Sequence, residues 1–233
     1  MRPGSPDRWD YVVYDVPSHR VYVAHGDRVT VLDRRSGGLV RQIETVPGGT
    51  HGIAISHAAG LGYTVDADAV TIDPTSGHAY VVDGDAGTLT VIEPTADRVD
   101  ATWPIPQCRS PHGFAIDVTN HRLFSSCNNR RLVFVNADTG RSVAVVQIAP
   151  GTDAVRFDPV HRLVFSSNGL DGNLSVIREV DANTFVPAAT VRTALSARTM
   201  GIDPQSGRLF LAAAFEAARS QGRELFLTLS VTS

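Results

Sequence analysis

Six ionisable residues occupy matching positions of a repeated sequence pattern and could act together. The set consists of Asp10, His51, Asp68, His112, Asp153 and Arg198, separated by 41, 17, 44, 41 and 45 residues. Carboxylates and imidazoles are ligands of divalent metal ions, and a bound ion can activate water for hydrolysis. A guanidinium favours an anionic ligand, so Arg198 indicates either such a ligand or an ion pair with Asp10.

A second set of residues is expected close to the first, at the end of the strand that follows. Its members are His25, Asp66, Asp83, Cys127, Asn168 and Ala213. Because an antiparallel strand ends where its partner begins, both sets should lie at the same end of each sheet. The alternative is that these side chains only cap backbone amides of neighbouring loops. We assign no catalytic residue and predict ligand binding by Asp10, His51, Asp68, His112, Asp153, Arg198, His25, Asp83 and Asn168.

The pattern that places these residues is a repeat of a strand, a turn and a second strand, as in VTIDPTSGHAYV and VRFDPVHRLVFS. The repeats are anchored at Asp15, Ser56, Asp73, Asp117, Asp158 and Asp203. Short alternating strands between Gly, Asn and Pro turns, about four in each repeat, are typical of β-propeller blades. A β-sandwich also has closely spaced strands, but it does not repeat a turn motif in phase.

The repeats predict an all-β protein, a β-propeller of four-stranded blades with about five and a half blades recognisable. We expect a single domain over residues 9–233, preceded by an N-terminal tail over residues 1–8. The interval of 17 residues between Ser56 and Asp73 is too short for four strands, so the second blade is predicted to be truncated near residues 66–68. The starts of the innermost strands should surround one mouth of the central channel. Open blade edges could also pair between chains and form an oligomer.

Charge and hydropathy limit the partners. Lys and Arg number 21 against 24 for Asp and Glu, and the net charge of −3 disfavours nucleic acid and anionic membranes. No apolar run approaches the roughly 18 residues of a membrane span. The N-terminus MRPGSPDRWDY has no apolar core of an export signal, so taken alone it predicts a cytoplasmic location.

Several segments together resemble the YVTN-repeat (YncE-like) family of bacterial β-propellers. They are WDYVVYD, HGIAI, DAVTIDP, WPIPQC, LFSSC, DAVRFDP, FSSNG and ARTMGIDP, and they extend over nearly the whole chain. The resemblance implies a seven-bladed pattern, relative to which this chain is shortened, and a periplasmic or secreted location. It gives some support to binding of single-stranded nucleic acid but implies no specific chemistry.

The two cysteines belong to one repeat. Cys127 ends the second strand of that repeat, and Cys108 lies in the loop that leads into the adjacent first strand. Their Cα atoms could therefore approach the roughly 5.5 Å separation of a disulfide. Exported relatives would form such a bond in an oxidising compartment. A pair of buried free thiols is the alternative.

Three functions agree with these patterns. The first is a non-enzymatic scaffold that binds a protein, peptide or small ligand at the channel mouth, since no nucleophile elbow or phosphate-binding loop occurs. The second is a metal-dependent hydrolase of the lactonase type, with a divalent metal in the channel. The third, binding of single-stranded nucleic acid, needs a basic groove and stacking aromatics, and the aromatic content is 7%. The sequence favours the scaffold and does not identify its ligand.

Overall fold

The computed structural model describes residues 9–44, 49–57, 59–65, 67–203, 206–213 and 225–229. The predicted tail over residues 1–8 and Asp66 lie outside the described residues. The described chain forms β-strands joined by turns, with one short 3₁₀ helix at Pro94–Ala96. No helix of the described chain has the length and apolar character that crossing a membrane requires.

Four of the sheets contain four strands each, and consecutive strands lie side by side in each sheet. The first contains β1 (Trp9–Asp15), β2 (Arg20–His25), β3 (Arg28–Asp33) and β4 (Leu39–Glu44). The second contains β7 (Ala69–Ile72), β8 (Ala79–Asp83), β9 (Thr88–Glu93) and β10 (Arg98–Pro104). The third contains β11 (Pro111–Asp117), β12 (Arg122–Cys127), β13 (Arg131–Asn136) and β14 (Ser142–Gln147). The fourth contains β15 (Thr152–Asp158), β16 (Leu163–Asn168), β17 (Asn173–Asp181) and β18 (Thr184–Arg192).

Two further sheets have fewer strands among the described residues. One consists of β5 (Ile53–Ser56) and β6 (Leu61–Thr64), which pair antiparallel. The other consists of β19 (Thr199–Ile202), β20 (Leu209–Ala213) and β21 (Leu225–Leu229). The chain thus passes from the last strand of one sheet to the first, inner strand of the next, as it does between successive blades.

Contacts divide the chain into two compact units. One unit comprises Met1–Val82 and Thr90–Thr102, and the other comprises Asp83–Leu89 and Trp103–Ser233. In the first unit the inner strands β1, β5 and β7 are neighbours in chain order, and in the second unit β11, β15 and β19 are neighbours. The single domain over residues 9–233 stays a prediction.

The core of the second unit lies between successive sheets. Side chains of a strand point alternately to its two faces, and Leu132, Val133, Phe134 and Val135 of β13 are all buried, so both faces of this strand are covered. The rings of Phe134 and Phe185 stack with centroids 3.8 Å apart, and Phe124 packs edge-on against both. The same cluster includes Ala115 of β11 and Val155 of β15, so it also anchors two of the inner strands that carry the candidate site.

The repeated Asp at the end of each inner strand forms the turn into the second strand. Asp158 shows the arrangement, because its Oδ1 accepts hydrogen bonds from the amides of Val160 and His161, at 2.9 and 3.2 Å. Nδ1 of His161 lies 2.7 Å from its Oδ2. Burial acts to raise the pKa of Asp158, but these hydrogen bonds outweigh burial and lower it. The anchor carboxylate therefore stabilises the turn by accepting its amide hydrogen bonds, which explains why Asp occupies this position.

Candidate functional site

The candidate residues lie where inner strands begin and second strands end, which we call the leading end of each sheet. The register places Trp9 opposite His25, Pro111 opposite Cys127, and Thr152 opposite Asn168. Asp10, His112 and Asp153 each follow the first residue of these pairs. In the two sheets with shorter inner strands, Asp68 and Arg198 directly precede β7 and β19. The opposite end, which carries the anchor turns, is called the trailing end below.

A β-bulge positions the first residue set in three of the sheets. The register shifts between Trp9 and Val12, between Pro111 and Phe114, and between Thr152 and Val155, so two inner-strand residues lie opposite one residue of the second strand. An alternating strand would send neighbouring side chains to opposite faces, whereas a bulge redirects them. The bulge thus determines how Asp10, His112 and Asp153 are presented.

Buried serines on the second strand hold two of these bulges. The amide of Gly113 donates to Oγ of Ser126 at 3.1 Å, and the amide of Ala154 donates to Oγ of Ser167 at 3.2 Å. Both serines are fully buried. A bulge leaves a backbone amide without a ladder partner, and a buried amide without a partner is unfavourable. The serine pairs in LFSSC and VFSSN therefore provide acceptors at the leading end.

Asp10 and His51 join the inner edges of two successive sheets. Nδ1 of His51 lies 2.7 Å from Oδ2 of Asp10, with 20% and 9% of the two side chains exposed. A carboxylate at this distance favours the His tautomer that carries its proton on Nδ1. The contact requires β1 and β5 to be close neighbours, as they are. Gly52 lets the next inner strand, β7, approach β5 closely, because a Cβ at Gly52 would lie 2.7 Å from the amide nitrogen of Val70.

Asp153 and Arg198 form the corresponding contact in the second unit. Nε of Arg198 lies 3.2 Å from Oδ2 of Asp153, and 60% of the arginine side chain is exposed against 16% of the aspartate. The backbone carbonyl of Arg198 accepts a hydrogen bond from Ser167. The ion pair between Arg198 and Asp10 that the sequence allowed is not formed, because Arg198 pairs with Asp153 and Asp10 with His51.

The other two residues of the first set are half-buried. Asp68 precedes β7, which neighbours β5, and His112 lies on β11, which neighbours β15. Both have polar or electrostatic partners. Within the described ranges, no three His, Cys, Asp or Glu side chains are grouped so that they could hold a metal ion.

The second residue set stabilises turns and strand ends. Oδ1 of Asp83 accepts hydrogen bonds from the amides of Asp85 and Ala86, both at 2.9 Å. Asn168 is fully buried, and its amide donates to Asn173 and Ser175. The loop-capping alternative therefore describes Asp83, whereas Asn168 binds side chains of the following strand. The backbone of His25 pairs with Trp9 and Arg28.

A disulfide joins Cys108 and Cys127 at the leading end of the third four-stranded sheet, with Cα atoms 5.2 Å apart. Both residues are buried. The bond attaches the loop before β11 to the end of β12. The same loop also binds the next turn through backbone hydrogen bonds, because the amide of Asn128 donates to the carbonyls of Arg109 and Ser110.

A buried acidic cluster that the repeat pattern did not predict lies at the trailing end of the third and fourth four-stranded sheets. The Asn120 amide donates to Asp117 at 2.7 Å and to Glu179 at 3.0 Å, and Nε of Arg162 lies 3.5 Å from Glu179. Burial, then the charge of Asp117 and a hydrogen bond with it, raise the pKa of Glu179, although Asn120 and Arg162 act in the opposite direction. Glu179 lies in the third strand of its sheet, beyond the recurring strand–turn–strand pattern, so the repeat offered no signal for it.

Comparisons with known proteins identify the fold. No protein-family profile matches the sequence. No curated protein matches it either. A chain in the crystal structure of the mitotic checkpoint complex is similar with a TM-score of 0.69 and 14% identity, covering 87% of this chain and 73% of that chain. Together with the successive four-stranded sheets, this similarity confirms the prediction of an all-β propeller fold.

Proposed function

We propose that this protein is a non-enzymatic scaffold whose leading end binds a protein, peptide or small ligand through a carboxylate or another anionic group. The observation that carries the proposal is the placement of Arg198. Ser167 holds its backbone, Nε contacts Asp153, and 60% of its side chain is exposed. A guanidinium has five N–H donors in a planar fork, so a contact through Nε leaves the Nη groups to bind a carboxylate.

The surroundings of Arg198 support an anion-binding role. Asp153 contacts Arg198 through one oxygen and is itself largely buried, so it orients the guanidinium. His112 lies half-buried on the inner strand next to that of Asp153, so an imidazole, which is a hydrogen-bonding group, also lies at this end of the sheets. Charged groups that are held in place before binding lose little conformational entropy when a ligand arrives.

We also propose membership of the YVTN-repeat type and a periplasmic or secreted location. The repeat segments quoted above support the family. The Cys108–Cys127 disulfide supports an oxidising compartment, because cytosolic thiols are usually kept reduced.

The proposal can be tested with short random peptides displayed on phage. Peptides selected on the purified protein should carry acidic residues or a free C-terminal carboxylate. Arg198→Ala should weaken their binding by about 10- to 100-fold, because a hydrogen bond to a charged group contributes roughly 1.5–3 kcal/mol. Arg198→Lys should give an intermediate affinity, since it keeps the charge and loses the fork.

Arg141→Ala is the matched control, because Arg141 is an exposed arginine in the trailing-end turn between β13 and β14. It should bind the selected peptides like the unaltered protein. Equal affinity of the Arg198→Ala variant would count against the proposal. If the purified protein turned over a substrate and His112→Ala abolished that activity, the protein would be an enzyme and the scaffold proposal would be wrong.

A further inference from the structure

The two-stranded sheet leaves an open edge in the first unit. Among the described residues β6 pairs only with β5, whereas β2, β8, β12, β16 and β20 each also have a third strand on their other side. Only residues 65–68 separate β6 from the start of β7. Since a strand averages about 5 to 6 residues before its turns are counted, this link cannot supply the third strand.

The open edge presents backbone groups that can bind another strand. The amide of Val65 donates to the carbonyl of Gly52 at 3.2 Å, so Val65 faces β5. Residues along an antiparallel strand alternate between the two sides, so Leu61 and Tyr63 also bond to β5. Gly62 and Thr64 then direct their N–H and C=O groups away from β5. Such a row of backbone groups is a template for strand pairing.

An apolar groove lies beside this edge, between β5–β6 and the first sheet. Its volume is about 390 Å³, within the range of peptide and small-molecule sites, and residues of β1 to β6 line it. The apolar part of its lining includes Tyr22, Val29, Ile43, Ile53, Ile55 and Leu61. The hydroxyl of Tyr63 is buried there and has no hydrogen-bond partner among the described residues. The groove therefore combines apolar area with a polar group that a bound chain could satisfy.

The other sheets indicate what fits this place. The third strands of the four-stranded sheets bury apolar residues, and in β9 the buried Leu89 and Val91 alternate with less buried residues. In the first sheet Arg20 at the start of the second strand binds Asp33 at the end of the third strand, at 2.9 Å. The position that matches Arg20 is Leu61, which is 50% exposed. An occupant of the β6 edge should accordingly be uncharged opposite Leu61.

We propose that the β6 edge binds an extended, uncharged segment of another polypeptide, which adds as the third strand and places alternate apolar side chains in the groove. Strand addition to an open sheet edge is a general mode of peptide recognition, in which backbone hydrogen bonds provide affinity and pockets provide specificity. This site involves none of the candidate residues at the leading end, so its test is independent of the test of the function proposed above.

The test uses a capped, fluorescent hexapeptide with the sequence TLTVIV, which is the β9 sequence with its final Glu replaced by Val. Gly62→Pro removes an outward amide, and proline is tolerated in edge strands at such positions. Gly62→Ala is the matched control, because a Cβ at Gly62 comes no closer than 4.0 Å to any neighbour, the carbonyl oxygen of Ala54. We expect the unaltered protein and Gly62→Ala to bind TLTVIV with similar affinity. Gly62→Pro should bind it about 2- to 10-fold more weakly, which corresponds to the loss of one hydrogen bond. TLTVIE should bind more weakly than TLTVIV.

A second measurement keeps the test decisive if Gly62→Pro unfolds. Methylation of those peptide amides that face β6 should abolish binding to the unaltered protein, whereas methylation of the alternate amides should not. Equal binding of both methylated peptides would show apolar capture without strand addition and overturn the proposal. So would dimers of the free protein that Gly62→Pro dissociates, because the occupant would then be a second copy. Absence of binding to a cooperatively folded protein would overturn it as well.

Discussion

Reduction of the Cys108–Cys127 disulfide should destabilise the unit that contains it by an amount set by the loop that it closes. The two cysteines are separated by 19 residues. In the chain-entropy treatment a loop of this length contributes about 3 kcal/mol at 25 °C by restricting the unfolded chain. For a protein of this size that loss lowers the melting temperature by roughly 6 to 12 °C.

The folded state should survive the reduction. The loop before β11 keeps other attachments, because the Asn129 amide donates to the carbonyl of Gln107 at 3.0 Å and Ser142 donates to the side chain of Gln107 at 2.9 Å. Cys108 and Cys127 are buried, so their thiols would remain packed as small apolar groups. The change should therefore be in stability and not in fold.

The assay compares thermal melts of the same chain with and without a phosphine reductant. The double variant Cys108→Ala, Cys127→Ala is the control, and its melting temperature should not respond to the reductant. A fall of less than about 2 °C in the unaltered protein would contradict the loop-entropy estimate. Titration of two free thiols in the unreduced protein would show that the disulfide assignment itself is wrong.

Three further variants test the packing and the electrostatics. Glu179→Gln should be more stable than the unaltered protein near neutral pH, because the raised pKa of Glu179 gives stability that is complete below pH 4.5 and is lost as the pH rises through the raised value. Each unit by which the pKa is raised corresponds to a loss of about 1.4 kcal/mol in the free energy of unfolding at high pH. Asp158 has a lowered pKa, so its contribution is lost as the pH falls below 3.8, and Asp158→Asn should flatten the acid limb of the stability curve. Gly113→Ala should cost about 1–3 kcal/mol, because its Cβ would lie 2.6 Å from the amide nitrogen of Val155, whereas Gly201→Ala meets nothing within 4 Å and should change little.

Melts over a range of pH, with chemical denaturation at each point, check all three. A gain from Glu179→Gln that does not grow with pH would refute the buried acid assignment. An acid limb unchanged in Asp158→Asn would show that this carboxylate is not held by the turn. Equal stability of the Gly113 and Gly201 variants would mean that the inner strands are further apart than described.

The fold could be predicted from the sequence because turn-forming residues recur at the same position of each repeat. An Asp that ends an apolar strand and precedes Pro or another turn residue has one main role, and Asp73 and Asp158 both accept turn hydrogen bonds as that role requires. Four short strands in each period then leave few arrangements other than blades.

The geometry of the site could be predicted from the sequence only in part. A bulge adds one residue to a strand, and in an alternating pattern one extra residue cannot be told from a shift in register. The partners of Asp10 and Arg198 depend on which inner strands are neighbours, because β1 adjoins β5 and β15 adjoins β19. The role of Asn168 was ambiguous for a similar reason, because its two hydrogen-bond partners lie on the strand that follows the next turn.

The most direct test of the proposed function is hydrogen–deuterium exchange with and without a display-selected acidic peptide. We predict slower exchange at the leading end of the second unit, in residues 111–114, 152–155 and 197–200, and unchanged exchange in the trailing-end turns 117–122 and 158–163. Protection confined to the trailing-end turns or to β6, with the leading end unaffected, would contradict the account.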